Sequence, residues 1–61
     1  MRDKNRIEPF MQELGDIWKE NVPDWRFGQF MDNIFDVLRD EGKDPFMLED
    51  DDIIKAIKNM F

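Results

Sequence analysis

The chain has 61 residues, with 15 Asp and Glu against nine Lys and Arg and a net charge of −6. That length limits it to one small domain, residues 1–61, which buries only about 60% of the surface its unfolded form exposes. The sequence contains no Ser, Thr, Tyr, Cys or His. Their absence removes disulfides, thiolate and imidazole metal ligands, hydroxyl and thiol nucleophiles, and the commonest general base near neutral pH.

Hydrophobic spacing marks three helices. Ile7, Phe10, Met11, Leu14, Ile17 and Trp18 recur at helical intervals and predict a first helix over about 6–20. Asn5 is its expected cap, with Glu8 three residues on completing a box-like start, and Pro9 falls where a first turn tolerates it. Asn21, Val22 and Pro23 then break the pattern. Asp24 is expected to cap a second helix over about 25–41, striped by Phe27, Phe30, Met31, Ile34 and Leu38 and widened by Trp25, Phe35 and Val37. Gly28 costs that helix about 1 kcal/mol against Ala, and close packing against another helix is the expected reason for it. Gly42 is placed to end the helix in the left-handed conformation. Phe46, Met47 and Leu48 in the following linker are expected to fold back onto the core. A third helix over about 51–60 carries Ile53, Ile54, Ile57, Met60 and Phe61 on its apolar face, and its acidic first turn suits the positive end of the helix dipole. No β-alternation of useful length occurs. The expected fold class is all-α, a compact three-helix domain.

Several short stretches carry a family resemblance. Arg6-Ile7 opens the first helix and Trp18 closes it; Pro23-Asp24, Arg26-Phe27-Gly28-Gln29 and Asp44-Pro45-Phe46 follow, the last before an acidic run. The pattern resembles a group of short helical proteins of bacteria and their phages and, more distantly, the YihD-type family of small helical proteins of unknown function. It covers most of the chain and is most specific in the Pro-Asp-x-Arg-Phe-Gly-Gln stretch. The chain departs from the group in the bulk of Trp25 and in the length of its acidic region. The resemblance implies a helical fold of bacterial or phage type and assigns no activity.

The excess charge is concentrated. Residues 32–52 hold nine acids and two bases, a net of −7, while residues 1–31 are near neutral at −1. Asp32, Asp36 and Asp40 fall at i, i+4 and i+8, so they align along the second helix and repel one another. Asp40 and Glu41 also sit at the negative end of its dipole, where Arg39 offers the only local relief. Asp50 to Asp52 extend the same negative surface if the third helix starts near the end of the second. Three explanations stand: a solvated face that maintains solubility, a recognition surface for a basic partner, or loose association with a divalent cation. A Ca²⁺ loop around Gly42 fails, because Val37 and Leu48 occupy positions that need acids.

Six Phe, two Trp and five Met exceed what so small a core can enclose. Trp25, Phe35, Phe46 and Phe61 are expected at or near the surface, where grouped aromatics mark an interface. Arg26 has two roles open to it: an ion pair with Asp24, Glu20 or an acid of the last helix, or a grip on a partner's carboxylate, which Gln29 could share. The functional expectation is a cytoplasmic protein-binding module, not an enzyme, acting by occupancy through Trp25, Arg26, Gln29, Asp32, Asp36, Asp40 and Phe46. Its sharpest form is a phage-type inhibitor of a basic nucleic-acid-binding protein. The alternative is a homo-oligomeric structural protein closed by the aromatic patch, and the distant one a weak divalent-cation binder. No catalytic residue, resident metal or cofactor is expected. Net negative charge argues against direct nucleic-acid binding, and no apolar run suits a membrane span or signal segment.

Overall fold

Asp3, rather than Asn5, initiates the helical chain. Its carboxylate accepts the Asn5 backbone N–H at 2.9 Å, a two-residue reach typical of Asp in turns, and starts a 3-10 turn over Lys4–Arg6. That turn runs directly into α1, Ile7–Asn21, leaving Asn5 inside the turn and unable to cap. The computed structural model describes residues 2–61. Pro9 is the third residue of α1, where its missing N–H interrupts no intrahelical bond.

α1 ends at the Asn21-Val22-Pro23 break, with Val22 N–H still bonded to the Trp18 carbonyl at 3.0 Å. Trp25 N–H donates to the Val22 carbonyl at 3.0 Å and closes a turn, so Asp24 lies within that turn, too early to cap. α2 spans Phe27–Asp40, and its N-cap is the extended Arg26, which makes no side-chain cap bond. The far end of α2 is closed by backbone alone. Gly42 takes φ +78°, Lys43 N–H bonds to the Leu38 carbonyl at 2.9 Å, and Gly42 N–H bonds to the Arg39 carbonyl at 2.9 Å. This paired arrangement needs a left-handed residue, and glycine adopts that conformation without a Cβ penalty.

Asp44 repeats the device of Asp3: its carboxylate accepts Phe46 N–H at 3.0 Å and nucleates the 3-10 turn Pro45–Met47. The expectation that this linker folds back onto the core holds only for Leu48. Phe46 and Met47 remain 89% and 73% exposed, because a single tight turn directs its successive side chains apart. α3, Asp50–Met60, follows with three aspartates in its first turn.

Two ion pairs give the relative direction of α1 and α3. Arg6 meets Asp50 at 2.9 Å, and Glu13 meets Lys58 further along, so the two helices run parallel. Aromatic contacts join the start of α2 to the ends of α1 and α3, which makes α2 antiparallel to both. The bundle is therefore up-down-up, and the expected all-α three-helix domain is what the chain forms. Its core is Leu14 from α1, Phe30, Ile34 and Leu38 from α2, and Ile54 and Ile57 from α3. Half the buried core comes from α2, and its i, i+4, i+8 spacing aims all three side chains at the crevice between the other helices. Gly28 serves no close packing: a Cβ built there meets nothing within 4 Å, and the same holds at Gly15. Among the described residues, no helix is long and apolar enough to cross a membrane.

Candidate protein-binding surfaces

The end of α1, the start of α2 and the end of α3 meet around a run of aromatic rings. Trp18 stacks on Phe30 at 5.4 Å between centroids and meets Phe27 at 6.0 Å in a tilted pair. Phe30 continues to Phe61 at 6.4 Å, and Phe61 meets the edge of Trp25 at 6.5 Å. These separations fall within the range of favourable ring pairs, each adding about 0.5–1.5 kcal/mol beyond its buried area. The Trp18 indole N–H donates to the Trp25 carbonyl at 3.0 Å, tying the interhelical turn to α1. Only Phe30 is fully enclosed; Phe27 is 55% and Phe61 44% exposed. Phe27 follows the apolar stripe of α2 but occupies the first helical residue, where the neighbouring helices no longer cover it. A shallow depression walled by Gly15, Trp18, Lys19 and Pro23 adjoins this end.

The second feature is the outer face of α2. Gln29, Asp32, Asp36 and Asp40 lie opposite the buried Phe30–Ile34–Leu38 stripe, and all four are exposed. None of the three aspartates has an ion-pair partner among the described residues, although cations are close at hand along the chain. Arg39 lies over the Phe35 ring at 5.8 Å, so it shields an aromatic face and does not offset Asp36 or Asp40 through an ion pair. Lys43 pairs with Glu41 at 3.3 Å, and Lys58 with Glu13.

The acidic run before α3 divides. Glu49 and Asp50 turn toward the N-terminal segment, where Arg2 and Arg6 engage them. The Arg2 guanidinium donates to both Glu49 carboxylate oxygens, and these hydrogen bonds and the attraction that accompanies them lower the Glu49 pKa from its ordinary value. Asp52 alone of these residues lines the groove between α2 and α3 that Glu41 also borders. The continuous negative surface expected from Asp40 through Asp52 is thus interrupted by two arginines. Among the described residues, no three carboxylates converge as a metal ligand set.

The site residues expected from sequence fall into two groups. Arg26, Gln29, Asp32, Asp36 and Asp40 follow one another along exposed positions of α2 and its cap, and Trp25 joins them to the aromatic end. Phe46 stands apart, beyond the other end of a 14-residue helix that spans about 21 Å. Arg26 forms no ion pair with Asp24, Glu20 or α3 among the described residues; it is the exposed, extended N-cap of α2. The Gln29 side chain is likewise uncommitted, while its carbonyl accepts the Asn33 side-chain N–H at 2.9 Å. Phe35, expected at or near the surface, is half-buried at the core edge. Phe27, Ile7, Met11 and Met47 were not anticipated as exposed. The available signal was position: Phe27 and Ile7 begin their helices, beyond the cover of the neighbours. No family model, curated protein or solved structure matches the chain.

Proposed function

We propose that the protein is a binding module that acts by occupying a basic surface of another protein. The observation that carries this is the unneutralised α2 stripe: Asp32, Asp36 and Asp40 are exposed and have no ion-pair partner among the described residues, while Arg39, Lys43 and Lys58 serve other partners. A stripe of this kind raises the rate of encounter with a positive partner and fixes orientation more than it adds affinity. Affinity then comes from the aromatic end, where Phe27, Phe61 and the half-buried Trp25 offer apolar area with little rotamer freedom to lose. Arg26 sits between the two features and provides a planar fork for an acidic group at the partner's edge. Three carboxylates spaced four residues apart, about 6 Å along the helix, present a line of negative charge to a basic surface. A partner whose basic surface ordinarily holds nucleic acid is one that such a line fits.

The test is capture of a partner on immobilised protein at low and high salt, with mass-spectrometric identification. One dominant protein is expected, lost at high salt, lost with Asp32/Asp36/Asp40→Asn, and weakened by Phe27→Ala. Capture that is indifferent to salt and to the charge-neutralised variant would overturn the proposal.

A further inference from the structure

We infer that a second copy of this chain docks across the groove between α2 and α3, forming a twofold-symmetric dimer through a face distinct from the α2 acids. The groove has an apolar floor of half-buried Val37, Leu48, Ala56 and Met60. The linker that rims it carries Phe46 and Met47, the two most exposed large apolar side chains among the described residues. Leu48 lines the groove directly after the exposed Phe46 and Met47, so the groove and these two side chains adjoin through one short linker. In the inferred dimer a twofold axis brings the Phe46 linker of each copy to the groove of the other, the reciprocity an isologous interface requires.

Charge points to the same occupant. The chain carries −6 overall, so most of its surface repels a second copy. The groove is an exception, because its rim balances Glu41 and Asp52 against Lys43 and Lys55. Glu41 and Lys43 satisfy one another at 3.3 Å. Asp52 and Lys55, three residues apart on the groove edge of α3, have no ion-pair partner among the described residues. Antiparallel pairing of two α3 helices about an axis between them sets Asp52 of each copy against Lys55 of the other. A stable interface of about 800 Å² per partner takes roughly a sixth of the 4931 Å² surface. Asp32, Asp36 and Phe27 lie outside this face, so the dimer displays two copies of the α2 stripe.

Sedimentation equilibrium across a concentration range, with circular dichroism to confirm folding, tests the inference. Wild type is expected to dimerise. Phe46→Ala, which removes a side chain that is 89% exposed and so carries little of the fold, is expected to weaken dimerisation at least about tenfold. Lys55→Asp and Asp52→Lys are each expected to weaken self-association by placing like charges across the axis. Mixing the two single variants restores association, because each cross-axis pair then joins opposite charges. Phe27→Ala leaves the dimer unchanged. A monomer at every concentration would overturn the inference, as would a dimer insensitive to Phe46→Ala, one lost with Phe27→Ala, or charge variants that fail to complement on mixing. Each of these results is independent of whether the α2 stripe binds a basic partner.

Discussion

A methyl group added at Gly15 is expected to stabilise the fold. Gly15 is the ninth residue of the 15-residue α1, is exposed, and would present a Cβ to open space. Glycine in a helix interior costs about 1 kcal/mol against alanine, partly because the unfolded chain has more freedom to lose. A domain of this size has a total stability of about 3–9 kcal/mol at the usual per-residue range, so 1 kcal/mol is a large share of it. It corresponds to a rise of about 4–8 °C in Tm. Gly28 is equally open but is the second residue of α2, where fewer helical bonds depend on it, so about half that gain is expected. The two sites lie on different helices and share no partner, so the double variant is expected to show the sum. Thermal melts by circular dichroism of the two single variants and the double variant provide the check. A loss of stability at Gly28→Ala would mean that a neighbour packs against its Cα after all, and would refute the assignment of open space.

Three further perturbations probe the fold. Gly42→Ala forces a Cβ into a residue at φ +78° and is expected to cost about 1–2 kcal/mol, read as a lower urea midpoint with unchanged slope. Trp18→Phe keeps most of the ring but leaves the Trp25 carbonyl without its 3.0 Å donor, at an expected cost of about 1–3 kcal/mol in the same assay. Arg2 lowers the Glu49 pKa below its ordinary value of 4.5, so the pair stabilises the folded chain above that pH and the contribution is lost as pH falls through the lowered value. An NMR titration of Glu49 is expected to move back toward 4.5 in Arg2→Ala; an unmoved midpoint would break the assignment.

The helical stripes and the Gly42 stop were legible in the sequence because they depend on period and on a single backbone conformation. Helices expected at about 6–20, 25–41 and 51–60 are found at 7–21, 27–40 and 50–60. The starts of α1 and α2 were less legible, for different reasons. Asp3 bonds a backbone N–H two residues ahead and opens a 3-10 turn that runs into α1. Asp24 is held inside the turn that Trp25 N–H closes on the Val22 carbonyl, so neither Asn5 nor Asp24 is in place to cap. The partners of charged groups were not legible at all. Arg6 with Asp50, and Arg2 with Glu49, are tertiary pairs that follow from α1 and α3 running parallel, a fact that no local pattern carries. The same limit hid Phe27, whose exposure depends on where the neighbouring helices end.

The α2 aspartates present a conflict between stability and use, and neutralising them tests which governs. Asp32–Asp36 and Asp36–Asp40 are two like-charge pairs at i, i+4, each unfavourable by about 0.2–0.5 kcal/mol. Asp40 is also the last residue of α2, where the dipole disfavours an anion by about 0.3–1 kcal/mol. With no compensating cation among the described residues, Asp32/Asp36/Asp40→Asn is expected to raise stability by about 1 kcal/mol, subject to salt screening. The gain should shrink as salt increases, a dependence that separates charge relief from any change in packing. If the stripe serves a basic partner, the same variant loses capture while gaining stability. A more stable variant that binds as well as wild type would reduce the stripe to a solubilising surface. Loss of stability would mean that the aspartates hold the fold through contacts not visible in the ion pairs. Only the first pairing of results fits a face kept acidic against the preference of its own helix.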